Sequence, residues 1–276
     1  MKKVLINHMT ISNDSPLVLI AGPCQIESET HAQDMVGSIL DITRPLGIPF
    51  IYKSSFDKAN RSSAATPRGV GMDLGLKILN GIKHRYGVPV LTDIHESYQA
   101  EVCAAAGIDI LQIPAFLCRQ TDLLLAAGET GCVVNVKKGQ FLAPHNMKNV
   151  ADKIASTGNN RILLCERGYT HGYNDLMVDM RSLPIMAATG YPVVYDATHS
   201  VQRPGGHGTS SGGDRWMVAP LSRAAIATGS VAAVFIETHQ DPDSAPSDGD
   251  TMVPLKDLEQ LVTQLNSLHQ HVQQFN

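Results

Sequence analysis

A (β/α)8 TIM barrel is the fold this sequence predicts, and three observations predict it. Short apolar, β-branched runs alternate with helix-patterned stretches along the whole chain. The alternation gives eight strand candidates: Leu17–Pro23, Pro49–Ser55, Pro89–His95, Asp109–Ala115, Cys132–Lys138, Arg161–Arg167, Pro192–His199 and Val231–Glu237. The length, 276 residues, suits a single barrel of ~250 residues. Near-continuous apolar strands separated by amphipathic helices point to a parallel sheet covered by helices. Eight such units favour a closed barrel over an open doubly wound sheet.

Taken in order, Lys3–Asn7 and Met9–Ser12 are expected to pair as a short hairpin over the barrel's N-terminal end. Helices are expected after each strand, among them Thr30–Leu46, Met72–Tyr86, Ser97–Ala106, Asp214–Thr228 and Leu255–Val272. Three units open on Gly-x-Pro: Gly47-Ile48-Pro49, Gly87-Val88-Pro89 and Gly190-Tyr191-Pro192. There the glycine ends a helix and the proline enters the next strand. Residues 1–276 read as one barrel domain, with residues 1–14 forming the hairpin. Three long loop-like stretches, Asp57–Val70, Arg203–Gly213 and Gln240–Pro254, are of a length that is often functional in a compact domain. The lone Trp216 is expected to pack, and His269 and His271 to be solvated.

Composition bounds the function. Hydrophobic residues make up 43% of the chain and charged residues 17%, against roughly 25% charged in an average soluble domain. That balance suits a large, well-buried chain and an oligomer. A net charge of −4 gives no reason to expect nucleic acid or an anionic membrane as partner. Any anion must be gripped by local basic clusters. The five cysteines have no CxxC spacing and read as reduced thiols in the cytoplasm. No signal peptide is expected at Met1–Asp14, and no apolar run reaches the roughly 18 residues of a membrane span.

The polar residues cluster at or just past strand C-terminal ends, the face that carries the active site in such barrels. They include Cys24, Lys53, Ser55, Asp93, Gln112, Asn135, Lys137, Glu166, Arg167, Asp196, His199, Glu237 and His239. Cys24, His199, Glu237 and Asp248 form a candidate metal set: a thiolate, an imidazole and two carboxylates suit one divalent ion such as Zn2+, Fe2+ or Mn2+. A cysteine after a strand also serves as a small buried hydrophobe. A second cluster, Lys53, Lys58, Arg61, Lys137 and Arg167, with Asn60, Ser62 and Ser63 interleaved, suits two phosphate groups. Lys53, Lys137 and Arg167 lie in apolar strands, where an unpaired charge costs several kcal/mol, so each needs a partner. No GxSxG elbow or Walker loop is present.

Several runs resemble the 3-deoxy-D-manno-octulosonate 8-phosphate synthase family over nearly the whole chain. They are Ala21-Gly22-Pro23-Cys24, Lys53 to Ser63, Leu111 to Asp122, Asn135 to Phe141, Cys165 to Gly168, Asp196 to Gln202 and Ser247-Asp248-Gly249. Lys58-Ala59-Asn60-Arg61-Ser62-Ser63 discriminates most sharply, because related heptulosonate 7-phosphate synthases carry a Lys-Pro-Arg-Thr-type string there. Cys24 matches the metal-dependent members; metal-independent members carry Asn. The resemblance implies a cytoplasmic homotetrameric transferase that condenses phosphoenolpyruvate with D-arabinose 5-phosphate and water, for lipopolysaccharide sugar biosynthesis. It implies that Lys58, Lys137 and Arg167 bind phosphoenolpyruvate, assisted by Lys53, Ser55, Gln112 and Ala115. It assigns Asn60, Arg61 and Ser62 to the pentose phosphate and Arg119 to the sugar phosphate of a neighbouring subunit. Asp93, Lys137, His199 and Asp248 are the expected catalytic residues. Rival readings are a heptulosonate synthase, a Schiff-base aldolase on Lys137 or Lys53, and a binding barrel without catalysis.

Overall fold

A computed structural model describes residues 1–59, 68–206, 208 and 211–275. The hairpin is β1 (Val4–Ile6) and β2 (Met9–Ile11), paired antiparallel. The first six barrel strands are β3 (Val18–Gly22), β4 (Phe50–Lys53), β5 (Val90–Asp93), β6 (Ile110–Ile113), β7 (Val133–Lys137) and β8 (Ile162–Glu166). A small surface ribbon, β9 (Tyr169–Thr170) with β10 (Leu176–Met177), follows. The barrel resumes with β11 (Val193–Asp196). A second ribbon, β12 (Gln202–Arg203) with β13 (Gly212–Gly213), precedes the last barrel strand, β14 (Ala233–His239), and β15 (Val253–Pro254) extends it. All eight barrel strands are parallel, and β14 pairs with both β11 and β3, which closes the cylinder.

One helix follows each barrel strand: α1 (Glu29–Thr43), α2 (Met72–Tyr86), α3 (Ser97–Ala105), α4 (Thr121–Glu129), α5 (Met147–Ala155), α6 (Ser182–Ala187), α7 (Val218–Ala227) and α8 (Leu255–Val272). Local chemistry sets their ends. Ser28 caps α1, its hydroxyl accepting from the His31 amide at 3.1 Å, as N-cap serines do. Glu96 and Gln99 form a reciprocal capping box on α3. Gly87 ends α2 in the left-handed region at φ 70°, as its Gly-x-Pro run predicts.

The strand period divides the core in two. Leu19, Tyr52, Val90, Leu111, Val134, Leu164, Tyr195 and Val234 face the helices. Val18, Ile20, Ile51, Leu91, Ile110, Val133, Leu163, Val194 and Phe235 fill the barrel interior, where Val4, Ile6 and Ile11 of the hairpin join them. The hairpin therefore plugs the N-terminal end, as expected. Continuing the inward register two residues at a time leads to Lys53, Asp93, Gln112, Asn135, Lys137, Asp196 and Glu237. Apolar layers below thus become a polar layer at the C-terminal rim.

Two expectations fail. Trp216 stands 73% exposed in the turn before α7 instead of packing, and His269, on the inner face of α8, is 3% exposed instead of solvated. Its polar type suggests solvent, but helical period sets His269 four residues past Leu265, on the stripe that α8 buries with Leu258, Leu261 and Val262. Helix α7 also starts later than Asp214, since Arg215–Met217 form a 3-10 turn first.

Candidate active site

The rim assembles by register. Asp93 pairs with Gln112, and Gln112 with Asn135, in adjacent parallel strands. Their side chains continue the row: Asn135 Nδ2 donates to Gln112 Oε1 at 2.8 Å, and Gln112 Nε2 donates to Asp93 Oδ1. Ser55 donates to the other Asp93 oxygen, and Lys58 Nζ donates to Ser55 Oγ at 2.9 Å. Asp93 is held well below the usual carboxylate range. Burial works to raise it, but Lys58, Lys53, Lys137 and His95 together overcome burial. It is therefore an anion at neutral pH.

On the opposite side, Lys137 Nζ lies 2.8 Å from Asp196 Oδ2. Burial works to lower the Lys137 pKa, yet Asp196, Cys165, Asp93 and Glu237 raise it, so the group is held as ammonium. Asp196 also receives the backbone amide of His199 at 3.0 Å and lies 3.0 Å from its ring Nδ1. That carboxylate fixes the ring with Nδ1 protonated and Nε2 free. Nε2 points to Glu237 Oε1 at 3.6 Å and Asp248 Oδ2 at 3.9 Å. Arg167 donates through Nη2 to Gln202 Oε1 at 2.9 Å, and its Nη1 is buried without a hydrogen-bond partner among the described residues.

The candidate metal residues converge. In the closing pair, Glu237 stands opposite Gly22. Gly22 has φ +153°, and a Cβ there would collide with the Lys53 carbonyl oxygen. Only glycine allows the chain to turn so closely past β4 and present Cys24. Cys24 Sγ lies 3.1 Å from Asp248 Oδ2, and one ligand atom each from Cys24, Glu237 and Asp248 fall within 4.8 Å of one another. Asp248 adopts φ 55°, a conformation Asp tolerates better than most residues. Its Oδ1 accepts from Gln202 Nε2 at 2.8 Å.

The donor set fits a divalent ion. Burial, then Asp248 and Glu237, push the Cys24 thiol well up. Glu237 Oε2 is buried with no hydrogen-bond partner among the described residues. A thiol beside two carboxylates, with an imidazole lone pair aimed at both, is an electron-rich cluster that a cation compensates. Lys53 Nζ supplies part of that charge, 2.6 Å from Glu237 Oε1 and 2.8 Å from the Cys24 carbonyl. Burial would raise the Glu237 pKa, but Lys53, His199, Lys58 and Lys137 lower it to about 2.

A cavity of about 230 Å3 opens above this layer, lined by Lys58, Asp93, Ala115, Lys137, Arg167 and His199 among others. A wider groove of about 830 Å3 between α7 and α8 includes Trp216 and Arg223. None of the strand-end residues described above lines it. The expected partners of the strand cations are found: Glu237 for Lys53, Asp196 for Lys137 and Gln202 for Arg167. Ser55 and Gln112 support Asp93. Lys53 is walled in below Glu237. Arg119 lies apart, in a separate hollow beside Lys153 and Asn149. Asn60, Arg61 and Ser62 lie outside the described residues. Asp196 and Gln202, to which the sequence assigns no role, orient His199, Arg167 and Asp248. Their positions at and just beyond the seventh strand were the available signal.

Residues 2–274 match the DAHP synthetase I family. The chain belongs to that family. Relatives named 2-dehydro-3-deoxyphosphooctonate aldolase cover nearly all of it. The chain is 61% identical to that of Granulibacter bethesdensis over 95% of its own length and 92% of the relative's. It is 59% identical to those of a Chelativorans species and Brucella anthropi, over 95% of this chain and 95% and 94% of theirs. As a DAHP synthetase I family member the chain is an enzyme of barrel fold. Among its described residues no helix is long and apolar enough to cross a membrane.

Proposed function

We propose that the protein condenses phosphoenolpyruvate with D-arabinose 5-phosphate and water, giving 3-deoxy-D-manno-octulosonate 8-phosphate and phosphate, as a metal-dependent transferase. The observation that carries this reading is the cavity in which Lys58, Lys137 and Arg167 meet the anionic Asp93 beside the Cys24–Glu237–Asp248 cluster, with His199 Nε2 turned toward it. Three cations match the phosphate and carboxylate of phosphoenolpyruvate. The names of relatives at 59–61% identity support the same reaction.

The chain's own groups suit the steps. Carbon 3 of phosphoenolpyruvate forms the bond to the aldehyde carbon, and the aldehyde oxygen takes up a proton. Water adds its oxygen at carbon 2 and gives up one proton, matching that taken by the aldehyde oxygen; as the C–O bond to phosphate breaks, the new carbon 2 hydroxyl becomes the ketone and its proton leaves with phosphate. Lys58, Lys137 and Arg167 hold the anionic groups and stabilise negative charge as it develops. Asp93, ionised and steadied by Ser55 and Gln112, accepts hydrogen bonds or a proton from the sugar hydroxyls. Ala115 shapes the wall. When bound, the divalent ion held by Cys24, His199, Glu237 and Asp248 supplies positive charge that polarises a reacting oxygen. His199 is kept in the ligating tautomer by Asp196.

A Schiff-base aldolase needs a neutral amine. Lys137 is held charged by Asp196, and Lys53 is locked to Glu237, so neither lysine fits. Asn60, Arg61 and Ser62 are assigned to the pentose phosphate on their sequence match. Arg119 is assigned to a neighbouring subunit in a homotetramer, which agrees with its place outside the central cavity. The chain is read as one domain throughout. Its five free cysteines support a cytoplasmic setting.

Phosphate release from phosphoenolpyruvate is the test. Turnover is expected with arabinose 5-phosphate and little with erythrose 4-phosphate. Chelation is expected to abolish it and a divalent ion to restore it. Equal turnover with both aldoses, or none with either, overturns the reaction assigned. In the same assay Cys24→Asn is expected to keep some activity, and in a metal-binding titration to lose affinity. Wild-type affinity in that variant removes Cys24 from the ligand set.

A further inference from the structure

A second group of ligand-type side chains meets outside the central cavity, where β14 ends and α1 begins. His239 is the last residue of β14 and is 1% exposed. Glu27 precedes the α1 cap, and His31 lies in the first turn of α1. One ligand atom from each falls within 4.8 Å of the other two. His239 Nε2 is 2.8 Å from Glu27 Oε1, and His31 Nδ1 is 3.7 Å from the same oxygen. The two rings stand 4.9 Å apart between centroids.

The outer nitrogens have acceptors of their own. His239 Nδ1 is 2.8 Å from the Asp241 carbonyl oxygen, and His31 Nε2 is 2.9 Å from Gln240 Oε1. An N–H donated to each of these leaves a lone pair on His239 Nε2 and on His31 Nδ1, both turned toward the Glu27 carboxylate. His31 Nδ1 is buried and has no hydrogen-bond partner among the described residues. No lysine or arginine among the described residues forms an ion pair with Glu27. Two lone pairs and a carboxylate converging in this way need a positive charge between them.

We propose that Glu27, His31 and His239 hold a second divalent ion of the Zn2+ class, separate from the one at Cys24. Two imidazoles and a carboxylate are a set that Zn2+ and its transition-metal neighbours accept. Bonds of ~2.0–2.1 Å place tetrahedral ligand atoms about 3.3 Å apart. The His239–Glu27 pair is closer than that at 2.8 Å and the His31–Glu27 pair wider at 3.7 Å; His31 sits on the partly exposed first turn of α1, where a side-chain shift brings its Nδ1 in. Asp241 and Gln240 then act as the outer partners that orient metal-bound histidines. The ion ties the chain just after Cys24 to the chain just after Glu237, across the closing strands of the barrel. The competing arrangement is a plain His239–Glu27 hydrogen bond. It uses the Asp241 amide, 3.1 Å from Nδ1, as donor, and it leaves His31 Nδ1 unexplained. The proposal does not depend on the reaction assigned above.

Metal content of the full chain decides it, after stripping with chelator and dialysis against Zn2+. Wild type is expected to bind two equivalents, His31→Ala and His31→Gln one each, Cys24→Ala one, and Cys24→Ala with His31→Ala none. Gln240→Ala is expected to weaken the second site about 10–100-fold. One equivalent in wild type that disappears in Cys24→Ala overturns this site and leaves the Cys24 site standing. One equivalent in both wild type and Cys24→Ala, lost in His31→Ala, supports this site and removes the other. Cobalt titration of wild type serves should Cys24→Ala fold poorly. The second equivalent is expected to add ligand-field absorption without thiolate charge transfer, and to be lost in His31→Ala. A single cobalt equivalent carrying thiolate charge transfer, unchanged in His31→Ala, overturns the proposal.

Discussion

Lys53 shows how far a residue's role depends on its neighbours. The family resemblance implies a substrate-assisting lysine, and its geometry makes it a counter-charge. It is 1% exposed, with Glu237 Oε1 and the Cys24 carbonyl as its acceptors. Removing one partner of a buried pair leaves the other uncompensated, which costs about 3–5 kcal/mol. Lys53→Met is therefore expected to lower the unfolding free energy of metal-free protein by that much, read as a lower denaturant midpoint. An unchanged midpoint would mean that Glu237 is compensated by other groups. Asp93 and Lys137 illustrate the converse: each keeps its charge despite burial because oppositely charged neighbours outweigh the loss of water.

At the scale of the element, the two-residue period of the strands explains why the rim is polar. In β7, Val133, Asn135 and Lys137 share the inward face, while Val134 and Val136 face the helices. One strand thereby contributes both core and chemistry. The end of β3 depends on a backbone that only glycine supplies. Gly22→Ala sets a methyl against the Lys53 carbonyl at φ +153°. It is expected to cost about 1–3 kcal/mol, as overpacking does, and to weaken metal retention, because Cys24 shifts with the chain. Thermal melting and metal content measured on one sample check both. A variant that melts and binds metal like wild type would show that β3 and β4 can separate freely.

For the whole molecule, the two ends of the barrel have separate tasks. The hairpin seals the N-terminal end, with Val4, Ile6 and Ile11 packed on the lowest interior layer. The site occupies the other end, beyond Phe235 and the apolar layers. Ile11→Ala leaves a cavity in a buried cluster and is expected to cost about 2–5 kcal/mol, with KM for both substrates unchanged. Equilibrium unfolding and steady-state kinetics test the two halves of that statement. A change in KM would show that strain travels the length of the barrel.

Much of this was legible in the chain itself. The apolar runs and their spacing specify eight strands and the helices between them, because periods of two and of 3.6 residues are local properties. Chemical types at strand ends mark the rim for the same reason. A closed barrel, and Cys24 grouped with Asp248, were expected from the sequence; the contacts made as β14 closes on β3 and β11 were a matter for the tertiary structure. It alone sets Lys53 under Glu237 and makes Asp196 serve both Lys137 and His199. The same holds for the exposure of Trp216 and the meeting of Glu27 and His31 with His239 across 212 and 208 positions of sequence. Such contacts depend on which elements become neighbours when the cylinder closes, and a one-dimensional pattern carries no record of that distance.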